Sequence, residues 1–258
     1  MKKTTKGECK LSIFVDRVIE KLDGYLSKND YISAERHLTY WLNESKQENN
    51  KRAELAITNE QMGLYRKLSK ENEALSCVEN AIRLVKELDL ENHPSGATAY
   101  LNASTVYKAF NMAEKSLDLF KKARDVYEKE LPKNDNRLAG LYNNMGLTFV
   151  DLKRFKEAME LYKKAINVLE ANENGELEIA ITYLNMSSCL EAENGLEETE
   201  AEINEYVNKA WTLIDNFENK NGYYAFVCEK CASVFGYYGY FAYENELKER
   251  ARRIYEGS

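Results

Sequence analysis

Three asparagines recur in the same five-residue phrase, Tyr–x–Asn–x–small, and their type and spacing could do chemistry. The three copies are YLNAS with Asn102, YNNMG with Asn144 and YLNMS with Asn185. A carboxamide carries both hydrogen-bond donors and an acceptor, so it can satisfy the C=O and N–H groups of a peptide main chain without reading side chains. The alternative is internal: the same amides could bond to a neighbouring helix and brace the structure.

The cysteines are the second set of residues whose types and spacing could do chemistry. Five cysteines are scattered along the chain, an odd number that does not suggest a disulfide framework. Cys228 and Cys231 form a C-x-x-C pair, which in another setting is half of a zinc site or a redox pair. No second C-x-x-C or histidine pair completes a ligand set, so both are predicted to be packing residues. We expect neither a metal nor a cofactor.

Catalytic signals are poor. The two histidines are His37 and His93, and His93 precedes Pro94 as a residue at a helix start does. The sequence has no H-E-x-x-H motif, no glycine-rich phosphate loop and no nucleophile elbow. The carboxylates are numerous, but their spacing singles out no acid–base pair. The sequence therefore predicts a protein that is not an enzyme.

The composition limits the classes of partner that the protein is expected to bind. With 36 Lys and Arg against 43 Asp and Glu, the formal charge is −7, which argues against general nucleic-acid binding. The apolar run from Leu11 to Val15 is too short for a signal peptide, and the charge-free run from Cys231 to Tyr243 is too short to span a bilayer. We therefore expect a soluble, cytoplasmic protein with no membrane partner. Two prolines and 12 glycines favour helices almost throughout.

The phrase belongs to a longer period. Alanines that anchor it are separated by 42, 42, 45 and 41 residues, and they are Ala81, Ala123, Ala165, Ala210 and Ala251. Periods of this length indicate a repeat protein whose units must stack to bury their apolar faces. Six repeats cover nearly the whole chain, with approximate bounds 10–50, 51–92, 93–134, 135–175, 176–220 and 221–256.

Within the fourth repeat, the spacing of the apolar residues predicts two helices with a break between them. Leu138, Leu141, Tyr142, Met145 and Phe149 fall on one face of a first helix, and a second helix follows the turn DLKRF. The small residue that ends the phrase, glycine in this unit, is predicted to let the two antiparallel helices approach closely. Leucine in its place should destabilise the fold severely, and alanine should be mild.

These residues resemble the tetratricopeptide repeat (TPR) family, with small–x–x–aromatic in the first helix and Ala–x–x–x–aromatic–x–x–Ala in the second. The period exceeds the usual TPR length of about 34 residues. It is more similar to the repeats of kinesin light chain, in which His-Pro, then Ala, Asn and a small residue open the first helix, as in HPSGATAYLNAS from His93. The resemblance implies an all-α fold: a right-handed α-solenoid of about six antiparallel helix pairs, as one domain spanning 1–258.

In TPR proteins the first helices line a concave groove, and asparagine at this site holds the main chain of a bound peptide. The resemblance therefore implies that Asn102, Asn144 and Asn185 form a peptide clamp. The other predicted groove residues are Asn59, Arg66, Lys67, Thr105, Lys108, Asn143, Ser188, Glu191, Glu229 and Lys230.

The charge of this predicted groove suggests a ligand class. Arg66, Lys67 and Lys108 would make its earlier part basic despite the acidic chain, so an acidic or C-terminal-carboxylate ligand is one hypothesis. The other is that these charges form a solvated face.

The resulting prediction is a protein- or peptide-binding adaptor or scaffold. One alternative is a peptide-sensing regulator. Another is an assembly subunit that forms homo-oligomers through the aromatic segment FGYYGYFAYENE, Phe235 to Glu246. The same segment could instead be a last helix pair, turning near Gly239, whose rings cover the end of the core.

Overall fold

The computed structural model describes residues 13–257, and its regular structure is entirely helical. These residues form twelve α-helices, and none of them belongs to a β-strand. The prediction of an all-α fold with about six helix pairs is thereby confirmed. The helices group into two compact units, unit 1 ending at Met112 and unit 2 beginning at Ala113. The single-domain organisation stays a prediction.

Unit 1 contains five helices, in which neighbours along the chain pack against one another and α3 also packs on α5. Short turns between consecutive packed helices make each pair antiparallel. The helices are α1 (Val15–Leu26), α2 (Tyr31–Gln47), α3 (Lys51–Lys67), α4 (Glu71–Glu87) and α5 (Pro94–Ala109).

Unit 2 contains seven helices, and the first helices of successive pairs are again in contact, α7 with α9 and α9 with α11. Its helices are α6 (Ala113–Glu130), α7 (Asn136–Asp151), α8 (Phe155–Glu170), α9 (Glu176–Asn194), α10 (Leu196–Asp215), α11 (Gly222–Tyr237) and α12 (Phe241–Glu256).

Local chemistry explains where the helices begin and end. Asn50 accepts a hydrogen bond from the Ala53 N–H at 3.1 Å, and His93 caps α5 by accepting from the Ser95 N–H at 3.1 Å. The turns between paired helices use left-handed residues, such as Lys153 at φ 57° and Gly239 at φ 84°. The predicted turn near Gly239 therefore lies where the sequence indicated.

Helices α7 and α8 approach each other closely at Gly146. Gly146 lies against the buried ring of Tyr162, and a Cβ added to Gly146 would lie 2.5 Å from Tyr162 Cε1. Ala158 and Ala165, the small residues predicted at close helix contacts, are both fully buried. Because a methyl group alone already overlaps the ring, the expectation that alanine is mild at this position is wrong.

The aromatic segment near the end of the chain divides into inward and outward rings. Phe235 is fully buried, and the ring of Tyr243 stacks on Trp211 with 3.9 Å between centroids. Tyr237 and Phe241 are 67% and 64% exposed. The segment therefore covers the core of the last pair and also presents rings to its surface.

Candidate functional site

In unit 1, two of the predicted groove asparagines contact each other. Asn102 on α5 donates through Nδ2 to Asn59 Oδ1 on α3, at 3.3 Å. Thr105 donates its hydroxyl to the main-chain oxygen of Asn102 at 2.8 Å. The amide of Asn102 thus bridges two first helices, which is the internal use of the phrase.

The predicted basic residues of unit 1 divide between two surroundings. Arg66 is exposed near the end of α3, and half-buried Lys108 stands one period later on α5. Lys67 instead lies over the ring of Tyr31 at the start of α2, 5.1 Å from its centroid. Glu60, which sequence reasoning missed, is half-buried one period before Asn102. Burial, with a contribution from Asp23, raises the pKa of its carboxyl.

In unit 2, the adjacent asparagines of α7 have different roles. Asn143 donates through Nδ2 to Thr182 Oγ1 on α9 at 2.9 Å, and its own Oδ1 is buried without a hydrogen-bond partner. Asn144, the asparagine of the phrase, is half-buried and donates to the Gly140 carbonyl of its own helix at 2.8 Å. Asn143 therefore braces α7 against α9, and Asn144 makes no contact with another helix.

Among the three repeated asparagines, Asn185 on α9 is the one without a hydrogen-bond partner in the described residues. It is half-buried, and within residues 13–257 nothing donates to or accepts from its side-chain amide. Ser188, one turn further on, is exposed and donates to the Leu184 carbonyl of its own helix at 3.2 Å. A half-buried amide without a partner can still bind a main chain that approaches it.

Three tyrosine–glutamate hydrogen bonds join α9 to α11 and the residue that follows it, one near the start of α9 and two near its end. Tyr223 donates its hydroxyl to Glu178 Oε1 at 2.7 Å, whereas Glu191 accepts from both Tyr237 and Tyr238. We call the surface between these bonds the α9–α11 face. It consists of Glu178, Asn185, Ser188, Glu191, Tyr223, Phe226, Lys230 and Tyr237.

The electrostatics of this face follow from those bonds. Burial, then the hydrogen bond to Glu178, raises the pKa of Tyr223, and the bond to Glu191 raises the pKa of Tyr237. The hydroxyls therefore stay protonated and act as donors, and they do not neutralise the carboxylates. Lys230 is exposed between them.

The tyrosine of the phrase points to the opposite side, toward the second helices. Tyr142 donates its hydroxyl to Glu128 Oε1 at 3.0 Å, and its ring centroid lies 5.7 Å from Lys164 Nζ of α8. The ring of Tyr183 stacks on that of Tyr206, and its centroid lies 5.5 Å from Lys209 Nζ. Tyr183 also lines a cleft of about 680 Å³. The phrase therefore directs its tyrosine and its asparagine to different sides of the first helix.

Sequence reasoning missed Glu178 and Tyr223 as site residues, and it assigned Tyr237 only to the aromatic segment. A signal for them was present: Tyr223 follows Glu178 by 45 residues, the interval that also separates Lys230 from Asn185. The longer fifth repeat sets that interval, so residues this far apart lie side by side on α9 and α11.

The other candidate groups are structural. His37 bonds to the Val18 carbonyl at 2.9 Å. Cys228 and Cys231 are buried in the core of unit 2, and burial raises the pKa of Cys231 to about 12, which disfavours the thiolate that metals and redox chemistry need. Within residues 13–257 no group of three or more His, Cys, Asp or Glu side chains could hold a metal ion.

Family comparison identifies the repeats. The sequence matches the tetratricopeptide repeat family over residues 54–129 and again over 139–168. Tetratricopeptide repeats are therefore present in these two segments of the chain. Its repeats are close to the kinesin-light-chain type, because Protein KINESIN LIGHT CHAIN-RELATED 3 of Arabidopsis thaliana is 29% identical over 109 residues. That alignment covers 42% of this chain and 17% of the plant protein, so only a small part of the relative is matched.

Solved structures share the TPR fold. BtubC (BKLC) from P. vanneervenii aligns with a TM-score of 0.67 at 17% identity, covering 79% of this chain and 82% of that one. The apo form of RapI aligns with a TM-score of 0.62 at 13% identity, covering 95% of this chain and all of its own. These likenesses establish the α-solenoid fold class.

The TPR fold is that of protein–protein interaction adaptors and scaffolds, and TPR proteins are typically not enzymes. Within the described part of the chain, no helix has the length and apolar character needed to cross a membrane.

Proposed function

We propose that this chain is an adaptor that holds an extended peptide against the first helices of unit 2, with Asn144 and Asn185 bonding the peptide main chain. The observation that carries the proposal is the amide of Asn185, which is half-buried and has no partner within the described residues. An asparagine that only braced the stack would bond across it, as Asn143 and Asn102 do.

The geometry supports one residue of the clamp per repeat. Adjacent first helices lie about 10 Å apart, and an extended peptide advances about 3.3 Å per residue. Each asparagine would therefore serve about three residues of ligand. Main-chain bonding gives affinity without a strict sequence requirement, which suits an adaptor.

The test uses a phage-displayed library of random peptides selected on the full chain, followed by fluorescence anisotropy with the enriched peptides. Asn144→Ala with Asn185→Ala removes two hydrogen bonds worth about 0.5–1.5 kcal/mol each, so affinity should fall by roughly one to two decades. The matched control is Asn167→Ala, an exposed asparagine on α8. Its affinity should equal that of the wild type.

Two results would overturn the proposal. One is a library that yields no binding peptide. The other is a folded double variant that binds the enriched peptides as tightly as the wild type does.

For unit 1 we propose an acidic ligand segment, as the sequence suggested. Arg66 and Lys108 stand one period apart on α3 and α5, and Lys67 contributes only from the edge because it lies over Tyr31. Reversing the charge of two of these residues, Arg66→Glu with Lys108→Glu, should weaken the binding of an acidic peptide. The affinity for a neutral peptide should not change.

Self-association through the aromatic segment is the second candidate function. The exposed rings of Tyr237 and Phe241 support it, whereas Tyr238 and Tyr240 are half-buried. Light scattering on Tyr237→Ser with Phe241→Ser would show a loss of oligomer if this candidate is right. A wild-type monomer at all accessible concentrations would exclude it. The cytoplasmic location stays a prediction.

A further inference from the structure

We propose that the α9–α11 face selects basic peptide segments, with Glu178 and Glu191 pairing with arginine or lysine side chains and Phe226 covering the segment between them. This proposal rests on the peptide-binding function proposed above and names the ligand class for one face. It is the opposite of the acidic ligand proposed for unit 1.

The exposed aromatic side of α11 is the first observation. Tyr223, Phe226 and Tyr237 are 45%, 47% and 67% exposed, and they follow helical spacing along one side of α11. The rings of Tyr223 and Phe226 stack with 6.1 Å between centroids. Aromatic rings in this position offer apolar area, and their faces also attract guanidinium and ammonium groups.

Charge complementarity identifies the occupant. Helix α9 carries four glutamates and no basic side chain. Glu178 and Glu191 are held in place by tyrosine hydroxyls, and within residues 13–257 neither has a basic side chain at ion-pair distance. Lys230 is the one basic residue of the face and forms no ion pair with either glutamate, so the face keeps a net negative charge, which favours a cationic partner and disfavours an acidic one.

The spacing of the two carboxylates defines the peptide. Glu178 and Glu191 are 13 positions apart on α9, which corresponds to about 20 Å along the helix axis. An extended peptide covers that length in about six residues. Asn185 lies between the carboxylates, so its amide can bond the main chain of a segment whose two basic side chains reach the two ends.

The experiment uses a fluorescein-labelled Ala/Leu peptide with two arginines about six residues apart and a matched peptide with both arginines replaced by glutamate. Glu178→Gln with Glu191→Gln keeps the shape and the tyrosine bonds but removes both charges. It should weaken the arginine peptide about fivefold to thirtyfold and flatten the salt dependence of binding. Phe226→Ala should weaken it about twofold to fivefold.

The matched control is Glu198→Gln with Glu202→Gln, which makes the same change of net charge at exposed positions on α10. Affinity within about twofold of the wild type supports a local effect. An equal loss in the control, or equal affinity of the wild type for the two peptides, overturns the proposal.

The two proposals fail differently. If library peptides bind through Asn144 and Asn185 but show no preference for basic residues, the peptide adaptor stands and the basic selection is wrong. If the arginine peptide needs the two glutamates but binds Asn144→Ala/Asn185→Ala normally, the charge selection stands and the amide clamp is wrong.

Discussion

The phrase Tyr–x–Asn–x–small is used differently in unit 1 and in unit 2. On α5 its asparagine, Asn102, bonds to Asn59 on α3, whereas on α9 its asparagine, Asn185, has no partner in the described chain. The surroundings differ too, because Arg66 and Lys108 accompany the first copy, and glutamates accompany the second. A repeated residue therefore fixes a position on the helix, and its neighbours decide whether that position braces the fold or faces a ligand.

The last residue of the phrase gives the largest expected difference between copies. Gly146→Ala should cost about 1–3 kcal/mol and Gly146→Leu more than about 3 kcal/mol, because even a methyl group overlaps the ring of Tyr162. Ser187→Ala, at the same position of α9, should cost about 1 kcal/mol, since it removes only one hydrogen bond. Urea unfolding measures all three. Equal stabilities for Gly146→Leu and the wild type would contradict the close contact.

The first residue of the phrase should make the fold sensitive to alkali. Burial, then the bond to Glu128, raises the pKa of Tyr142 to about 12. Because the folded pKa is raised, this stabilisation is complete below pH 10 and is lost as the pH rises toward 12.

Wild type should therefore lose about 1–2 kcal/mol more than Tyr142→Phe between those limits. Unfolding measured at intervals of pH, with tyrosine ionisation followed by absorbance, tests this. Parallel losses in the two proteins would mean that Tyr142 is not perturbed by its surroundings.

The middle residue separates bracing from binding. Asn102→Ala and Asn143→Ala each remove a hydrogen bond between first helices, so each should lower the free energy of unfolding by about 0.5–1.5 kcal/mol. Asn185→Ala removes no internal bond and should leave the melting temperature within about a degree. A destabilisation by Asn185→Ala as large as that by Asn102→Ala would abolish the contrast between the two units.

The smallest effect is expected for the buried cysteines on the core side of α9 and α11. Burial raises the pKa of Cys189 to about 11 and that of Cys231 to about 12, so both thiols should react with a disulfide reagent at least about a hundredfold slower than a free thiol. Cys9 lies outside the described residues and is replaced by serine for this measurement. A chelator should leave the melting temperature unchanged. Rapid labelling, or a lower melting temperature with chelator, would contradict the packing role of these cysteines.

Much of the fold could be predicted because the repeat signal is local and redundant. The alanine period and the spacing of apolar residues indicated six helix pairs, and each of the six predicted repeats contains two of the observed helices. The turn at Gly239 was also predictable, since glycine tolerates the left-handed backbone at φ 84°. The close contact at Gly146 was predicted, but its tightness was not, because that depends on how far Tyr162 reaches across from α8.

The candidate site was only partly predictable. Periodicity placed Asn102, Asn144 and Asn185 at equivalent helix positions, but it could not say which amide has an internal partner. The bond from Asn102 to Asn59 spans 43 residues, and the bond from Asn143 to Thr182 spans 39. Neither interval equals the 42-residue step of the repeat, so the partners are not equivalent residues.

The sequence by itself determined the helix pairs, their order and the residues that face the neighbouring helices, because apolar periodicity and small residues at close contacts are properties of short segments. Only the tertiary structure decided which polar side chains remain available. The reason is geometric: a hydrogen bond needs its two atoms within about 3.5 Å, and that distance depends on the packing of helices far apart in the chain. The free amide of Asn185 and the tyrosine-held carboxylates beside it are products of that packing.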